Sequence, residues 1–248
     1  MTTKRLAIIG GSTAIGELEV INKLEVDTPF GSCSSALSTV KLDGKEAIYM
    51  YRHGDGHTIP PHKINYCANI WALHSVGITH VIGLAAVGGI ASASQPGKII
   101  IPDQIIDYTY GRKHTFFESA LNPVTHIDFV EPYCDELRKA LIKAAANIDL
   151  MVLDSGTYGV TQGPRLETAA EVIRLKNDGC DLVGMTAMPE AALARELGLC
   201  YATCAHCVNW AAGLETSKHQ IDLSAMHENI VQGQHSVRRL IIAMVKCL

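Results

Sequence analysis

Apolar positions recur along this chain in two alternating rhythms, and that alternation is the first constraint on the fold. Leu6-Ala7-Ile8-Ile9 is an unbroken apolar run that stops at Gly10-Gly11-Ser12, the pattern of a buried strand delivering a loop. Leu37 to Leu42 and Ala47 to Arg52 flank the turn dipeptide Asp43-Gly44 and predict a hairpin. From His62 to Ser75 the spacing becomes helical, with Pro60-Pro61 ahead and Gly77 behind as start and stop signals. Strand-like runs return at His80 to Ala86, Lys98 to Ile106, Met151 to Thr161, Leu182 to Met185 and Cys200 to Cys207. Helical patterns fill Glu131 to about Ala146, Glu167 to Lys176, Pro189 to Leu197 and Leu223 to Val245. Strands and helices in alternation predict an α/β fold with helices packed on the faces of a sheet. No linker, repeat or low-complexity tract divides residues 1–248, so a single domain is expected.

Composition narrows the class. With 48% hydrophobic and 19% charged residues among 248, the chain can bury a large core, which excludes a disordered segment or a disulfide-stapled mini-domain. The formal net charge is −4 and no basic run occurs, which argues against a nucleic-acid partner. The apolar stretch from Val81 to Ile90 is broken by three glycines and is far short of the ~20 residues a membrane span needs, so no membrane association is expected. Met1 to Arg5 is charged, but the apolar run behind it ends at Ile9, and the start reads as mature protein. Eight cysteines without a regular framework read as reduced thiols of a cytoplasmic protein. Cys204-x-x-Cys207, with Cys200 and His206 nearby, has ligand chemistry, yet it lies in an apolar strand with no second such pair, so buried thiols rather than a metal site are expected.

Three strand ends carry groups suited to an anion: Gly10-Gly11-Ser12, Arg52-His53-Gly54 and Met185-Thr186. Phosphate needs N–H groups, hydroxyls and a guanidinium converging from separate segments, and these supply those types at one edge of an α/β sheet. Taken singly, each also reads as a turn or a surface ion pair. The first segment is not a G-x-G-x-x-G nucleotide fingerprint.

Together with Arg52-His53-Gly54-x-x-His57-Thr58-Ile59, Pro61-His62-Lys63-Ile64-Asn65-Tyr66, Gly163-Pro164-Arg165 and Met185-Thr186-x-Met188-Pro189-Glu190, these residues resemble the trimeric purine nucleoside phosphorylases of the methylthioadenosine phosphorylase branch, in order along nearly the whole chain. The resemblance implies a mixed, twisted, partly barrel-like sheet and a reaction in which phosphate attacks the anomeric carbon of a purine nucleoside. It implies phosphate on Ser12, Arg52, His53, Thr186 and the Ala86 N–H, with Met185 under the ribose. Catalysis would rest on Asn209, His53 and Arg52. His126 would be lent to a neighbour's sugar pocket in a homotrimer. Inorganic phosphate is then a co-substrate, and no metal or organic cofactor is implied. Ala85 stands where relatives often have a hydroxyl residue, which removes one phosphate contact.

The base pocket departs from that branch, whose late strand is followed by two aspartates one residue apart. Here the stretch reads Val208-Asn209-Trp210-Ala211. Asn209 and Glu167 are similar instead to the asparagine and glutamate of 6-oxopurine phosphorylases. An asparagine amide can donate to O6 and accept from a proton on N7, while a glutamate carboxylate can accept N1–H; adenine mismatches both. As plain structure, Glu167 is a helix first-turn acid and Asn209 a strand-end turn residue. At the sugar's 5′ end, where ordinary nucleoside phosphorylases place a histidine, the count from Asn209 lands on Leu223, with Met226 one turn later; both are apolar and favour a 5′-methylthio group over a hydroxyl. The leading expectation is phosphorolysis of S-methyl-5′-thioinosine to hypoxanthine and 5-methylthioribose 1-phosphate. The alternatives are inosine/guanosine or methylthioadenosine phosphorolysis, a phosphate-independent nucleosidase, or a non-catalytic purine-binding module.

Overall fold

In the computed structural model, residues 4–12, 15–118 and 124–247 are described. The chain runs β1 (Leu6–Gly10), β2 (Glu19–Leu24), β3 (Leu37–Leu42), β4 (Lys45–Tyr51), α1 (Tyr66–Ser75), β5 (His80–Gly89), β6 (Ile99–Ile100) and β7 (Gln104–Asp107). It continues with α2 (Asp135–Asn147), β8 (Val152–Leu153), β9 (Thr157–Val160), α3 (Ala169–Asn177), β10 (Leu182–Gly184), α4 (Ala187–Glu196), β11 (Cys200–Trp210) and α5 (Leu223–Cys247).

Among the described residues, the eleven strands belong to one mixed sheet, in the order β2-β3-β4-β1-β5-β10-β9-β7, with a branch at β5 through β11 to β6 and β8. The branch follows from the length of β5. Ten residues long and buried throughout except at Ala86, β5 outreaches every neighbour but β11 and takes successive partners along its edges. The unbroken apolar runs of β1 and β5 have a simple cause: helices cover both faces. Ala7, Ile9, Val81 and Ala85 point into a core shared with α1 and α4, while Leu6, Ile8, Ile82 and Leu84 point into one shared with α2 and α5. The two-residue period sends alternate side chains to opposite cores.

Several predicted elements are corrected by special residues. The Lys98 to Ile106 run is two strands, because Pro102 cannot donate to a ladder. The Met151 to Thr161 run is likewise split, with Gly156 between β8 and β9. Asn65 caps α1 by accepting from the Ala68 N–H, so the helix starts at Tyr66 rather than His62. The edge strand β2 was not predicted, since its side chains are all exposed and its pattern carries no buried face.

The cysteines need a larger correction. Cys134 and Cys200, 66 residues apart, form a disulfide that ties the N-cap of α2 to the start of β11. Spacing along the chain gives no hint of this pairing; the packing of α2 on β11 brings the partners together, and Cys134 N–H donates to the Tyr201 carbonyl at the same place (2.7 Å). The other six cysteines are free, with Cys204 and Cys207 buried as expected. Among the described residues no helix is long and apolar enough to cross a membrane.

Candidate active site

The site begins as a gap in the sheet. β11 runs along one edge of β5 for its full length, whereas the other edge pairs with β1 only as far as Gly83 and with β10 only from Gly88. Leu84 to Val87 therefore faces an opening on that edge. The Leu84 carbonyl points into it and accepts from Arg52 Nη1 at 2.6 Å. By the strand's two-residue period the Ala86 N–H faces the same way. Because β1, β4, β5 and β11 are mutually parallel, the loops at their C-terminal ends gather at one rim. A cavity of about 570 Å³ opens there.

Its floor is a buried polar corner. Arg52 and His53, just past β4, are 1% and 7% exposed, and Thr186, the N-cap of α4, is 8% exposed. The Arg52 guanidinium grips Glu190 through Nε and Nη2, both at 2.7 Å. Burial works against the charge on Arg52, but the attraction of Glu190 and its hydrogen bonds prevail and hold the guanidinium firmly protonated. Glu190, wholly buried, also accepts from the Tyr201 hydroxyl at 2.7 Å. A Cβ at Gly83 would lie 2.9 Å from the Glu190 carboxylate, so glycine leaves the room this cluster occupies. Of the five N–H donors on Arg52, three are thus engaged and two remain. His53 Nδ1 bonds the Ile59 carbonyl at 2.8 Å; burial, then the Arg52 charge, push its pKa down to about 4. Ser12 Oγ lies 3.4 Å from His57 Nε2, and the His57 ring packs against His53 with centroids 4.4 Å apart.

The opposite end is looser and built from loop ends. β11 carries a bulge: Cys207 pairs opposite Val87 and Asn209 opposite Gly88, which leaves Val208 over. Two consecutive residues, Val208 and Asn209, consequently line the same cavity. The spare Val208 carbonyl is satisfied by Asn229 of α5 at 2.8 Å. Asn209 Nδ2 donates one hydrogen to the Trp210 carbonyl at 2.7 Å, leaving a second N–H and Oδ1. Glu167 precedes α3 and is not in its first turn. Thr168 is the N-cap and Glu171 completes a reciprocal capping box with it, so the acid that serves the helix is Glu171. Glu167 turns instead to Thr161, whose hydroxyl donates to Oε1 at 2.7 Å. Met185 lies between the two ends, and Gly163, at φ +61°, passes so close to it that a side chain there would collide with the thioether.

Of the residues singled out in the sequence, Ser12, Arg52, His53, Ala86, Thr186, Met185, Glu167, Asn209 and Met226 all line this one cavity, as does Ala85. Leu223 does not. It is the first residue of α5, 60% exposed, and the apolar wall beside Met226 is formed by Ile221 and Ile230. The helix face named from the count reaches the cavity at Met226, while Leu223, one turn earlier at the helix start, stays outside it. His126 is exposed and lies outside the cavity wall of its own chain. Sequence reasoning missed Tyr201 and Thr161, which read as ordinary strand residues, and left Glu190 as a motif letter without a role.

A family profile described as the phosphorylase superfamily matches residues 5–246. A probable S-methyl-5′-thioinosine phosphorylase of Xylella fastidiosa is 50% identical over 215 residues, covering 86% of this chain and 91% of that protein. The 6-oxopurine nucleoside phosphorylase of Pyrococcus furiosus is 45% identical over 248 residues, covering 97% and 92%. The solved structure of methylthioadenosine phosphorylase from Schistosoma mansoni in complex with adenine superposes with a TM-score of 0.92 at 31% identity, covering 99% and 92%. The chain belongs to the phosphorylase superfamily. Within it, the chain is an enzyme of the purine nucleoside phosphorylase type.

Proposed function

We propose that this enzyme phosphorolyses a 6-oxopurine nucleoside carrying a 5′-methylthio group, S-methyl-5′-thioinosine, to hypoxanthine and 5-methylthioribose 1-phosphate. The observation that carries the reading is the pairing in one cavity of Asn209 and Glu167 with the apolar wall of Ile221, Met226 and Ile230. Asn209 retains one N–H for O6 and Oδ1 for a proton on N7. Glu167 keeps Oε2 for N1–H, which a 6-oxopurine has and adenine lacks. A hydroxyl against the apolar wall would lose a hydrogen bond at a cost of roughly 1–3 kcal/mol, whereas a methylthio group gains burial there.

In the reaction, a phosphate oxygen bonds to C1′ as the C1′–N9 bond breaks and its electron pair leaves with the base. Ser12, the two spare Arg52 donors, Thr186 and the Ala86 N–H hold the phosphate beneath the sugar, where its negative charge stabilises the positive charge developing on the ribose. Met185 supports the sugar face, and Asn209 holds the departing purine through O6 and N7. Phosphate is the co-substrate, and neither metal nor organic cofactor enters. The exposed position of His126 suits a role in a neighbour's sugar pocket within a homotrimer.

The test is a panel of methylthioinosine, methylthioadenosine, inosine, guanosine and adenosine, each with and without phosphate. Methylthioinosine with phosphate should give the highest kcat/KM. Equal or better use of inosine would remove the 5′ argument, and turnover without phosphate would make the enzyme a nucleosidase.

A further inference from the structure

The phosphate corner holds one group that cannot behave as the others do. Ser12 and Thr186 are hydroxyls that donate or accept, and Arg52 and the Ala86 amide only donate. His53 is different. Its Nδ1 lies 2.8 Å from the Ile59 carbonyl oxygen, which can only accept, so Nδ1 carries the ring hydrogen. In the neutral ring the remaining nitrogen, Nε2, is then a lone pair, and among the described residues it makes no hydrogen bond within the protein. Without an anion beside it, the ring is held neutral, because burial and the neighbouring Arg52 charge disfavour a second proton. Nor does the corner offer a surplus cation to compensate, since the Arg52 charge is already met by buried Glu190 at 2.7 Å through two hydrogen bonds.

An oxyanion that leaves this ring neutral therefore has to bring a hydrogen of its own for His53. We infer that His53 is a specificity-determining acceptor that selects oxyanions bearing a hydroxyl at neutral pH, monohydrogen phosphate and its arsenic counterpart, against sulfate, which has the same shape and charge and no proton. The P–O–H hydrogen meets the Nε2 lone pair, whereas a sulfate oxygen would present lone pair to lone pair. The inference rests on the proposal that this corner is the phosphate site of phosphorolysis. It adds a rule about protonation, which that proposal does not contain.

Sulfate should accordingly be a poor competitor. Against phosphate in the methylthioinosine reaction at neutral pH, its inhibition constant is expected to exceed the KM for phosphate by at least tenfold, while arsenate should support turnover. His53→Gln supplies an amide that can donate as well as accept, and it should narrow the sulfate-to-phosphate ratio to within about threefold. If that variant does not fold, ¹⁵N spectra of the wild-type histidines supply the second check: the His53 ring should show a protonated Nδ1 and an unprotonated Nε2, and phosphate but not sulfate should shift the Nε2 resonance. Phosphate-dependent turnover with sulfate competing on equal terms, or an Nε2-protonated ring, would overturn the inference and leave the phosphorolysis reading standing. Absence of any phosphate-dependent turnover, with neither oxyanion binding, would overturn both.

Discussion

The two ends of the cavity are built on different terms. At the phosphate end, Arg52, His53 and Thr186 are under one-tenth exposed, and Arg52 is tied down by Glu190 and the Leu84 carbonyl. At the purine end, Asn209, Glu167 and Met226 are half-buried, each sits on a loop, a strand end or the start of a helix, and Leu166 beside them is 39% exposed. Asn209 and Glu167 are each steadied by one hydrogen bond. The difference separates two jobs. Apart from Ser12, exposed on the loop after β1, the chemistry that every substrate shares is set into the buried centre of the sheet, while the choice of substrate is left to groups that can change without disturbing a core.

If so, damage at the two ends should look different. The largest effect is expected for Arg52→Ala, which should reduce kcat/KM for phosphate by about a hundredfold to a thousandfold, the range for removing one preorganised donor to a developing charge. It should also leave Glu190 as an uncompensated buried charge, lowering unfolding free energy by about 3–5 kcal/mol in denaturant titrations. The pair Arg52→Met with Glu190→Leu should recover the stability and none of the activity. Unchanged phosphate kinetics in Arg52→Ala would remove that residue from the site.

Acid should reach the same end next. His53 stays neutral in the folded protein down to about pH 4, while an unfolded chain takes up that proton near the ordinary value of 6.5. Its contribution to stability is therefore complete above 6.5 and is lost progressively as pH falls toward 4. Burial shifts His206 in the same direction and adds to the loss. Thermal denaturation across this range should show Tm falling with pH, and His53→Gln should flatten the slope.

At the purine end, effects should fall on preference more than on stability. Asn209→Asp replaces the N–H that meets O6 by a carboxylate oxygen, so the efficiency ratio of methylthioinosine over methylthioadenosine should drop about tenfold or more, with little change in Tm. Adding Glu167→Ser should push the ratio further the same way. An unmoved ratio in a folded Asn209→Asp protein would end the 6-oxopurine assignment. The smallest effect belongs to the 5′ wall. Met226→Ser should lower the preference for methylthioinosine over inosine several-fold, and Leu223→Ala, at an exposed position, should leave it unchanged.

What could be read from the sequence follows the same division. Ile8-Ile9-Gly10, Arg52-His53 and Met185-Thr186 stood out because buried strands are continuous apolar runs and their ends are marked by glycine or charge. Glu167 and Asn209 could be nominated, but not their surroundings. The Thr168-x-x-Glu171 capping-box spacing was a legible sign that Glu171, not Glu167, serves the helix, whereas nothing in the local pattern announces that a bulge at Val208 turns Asn209 inward. Tyr201 looked like one more strand aromatic, since its hydroxyl acquires meaning only from Glu190 of α4, packed on β11. The Cys134–Cys200 bridge was illegible for a related reason: 66 residues separate the partners, and only the packing of α2 on β11 brings them together.

The gap in the edge of β5 also dictates when the site can come into being. Its frame needs β1 near the beginning of the chain, β5 in the first half and β11 near the end, and its outer wall waits for α5. Pairings this distant in sequence close late and slowly, because the loop entropy must be overcome before the contacts form. A chain emerging from the ribosome would carry β5 with one edge bare until residue 210 had arrived, an interval in which mispairing with another nascent copy competes with correct folding. Substrate cannot template this assembly. It can only latch the finished product, because no partial chain owns enough of the walls to hold it.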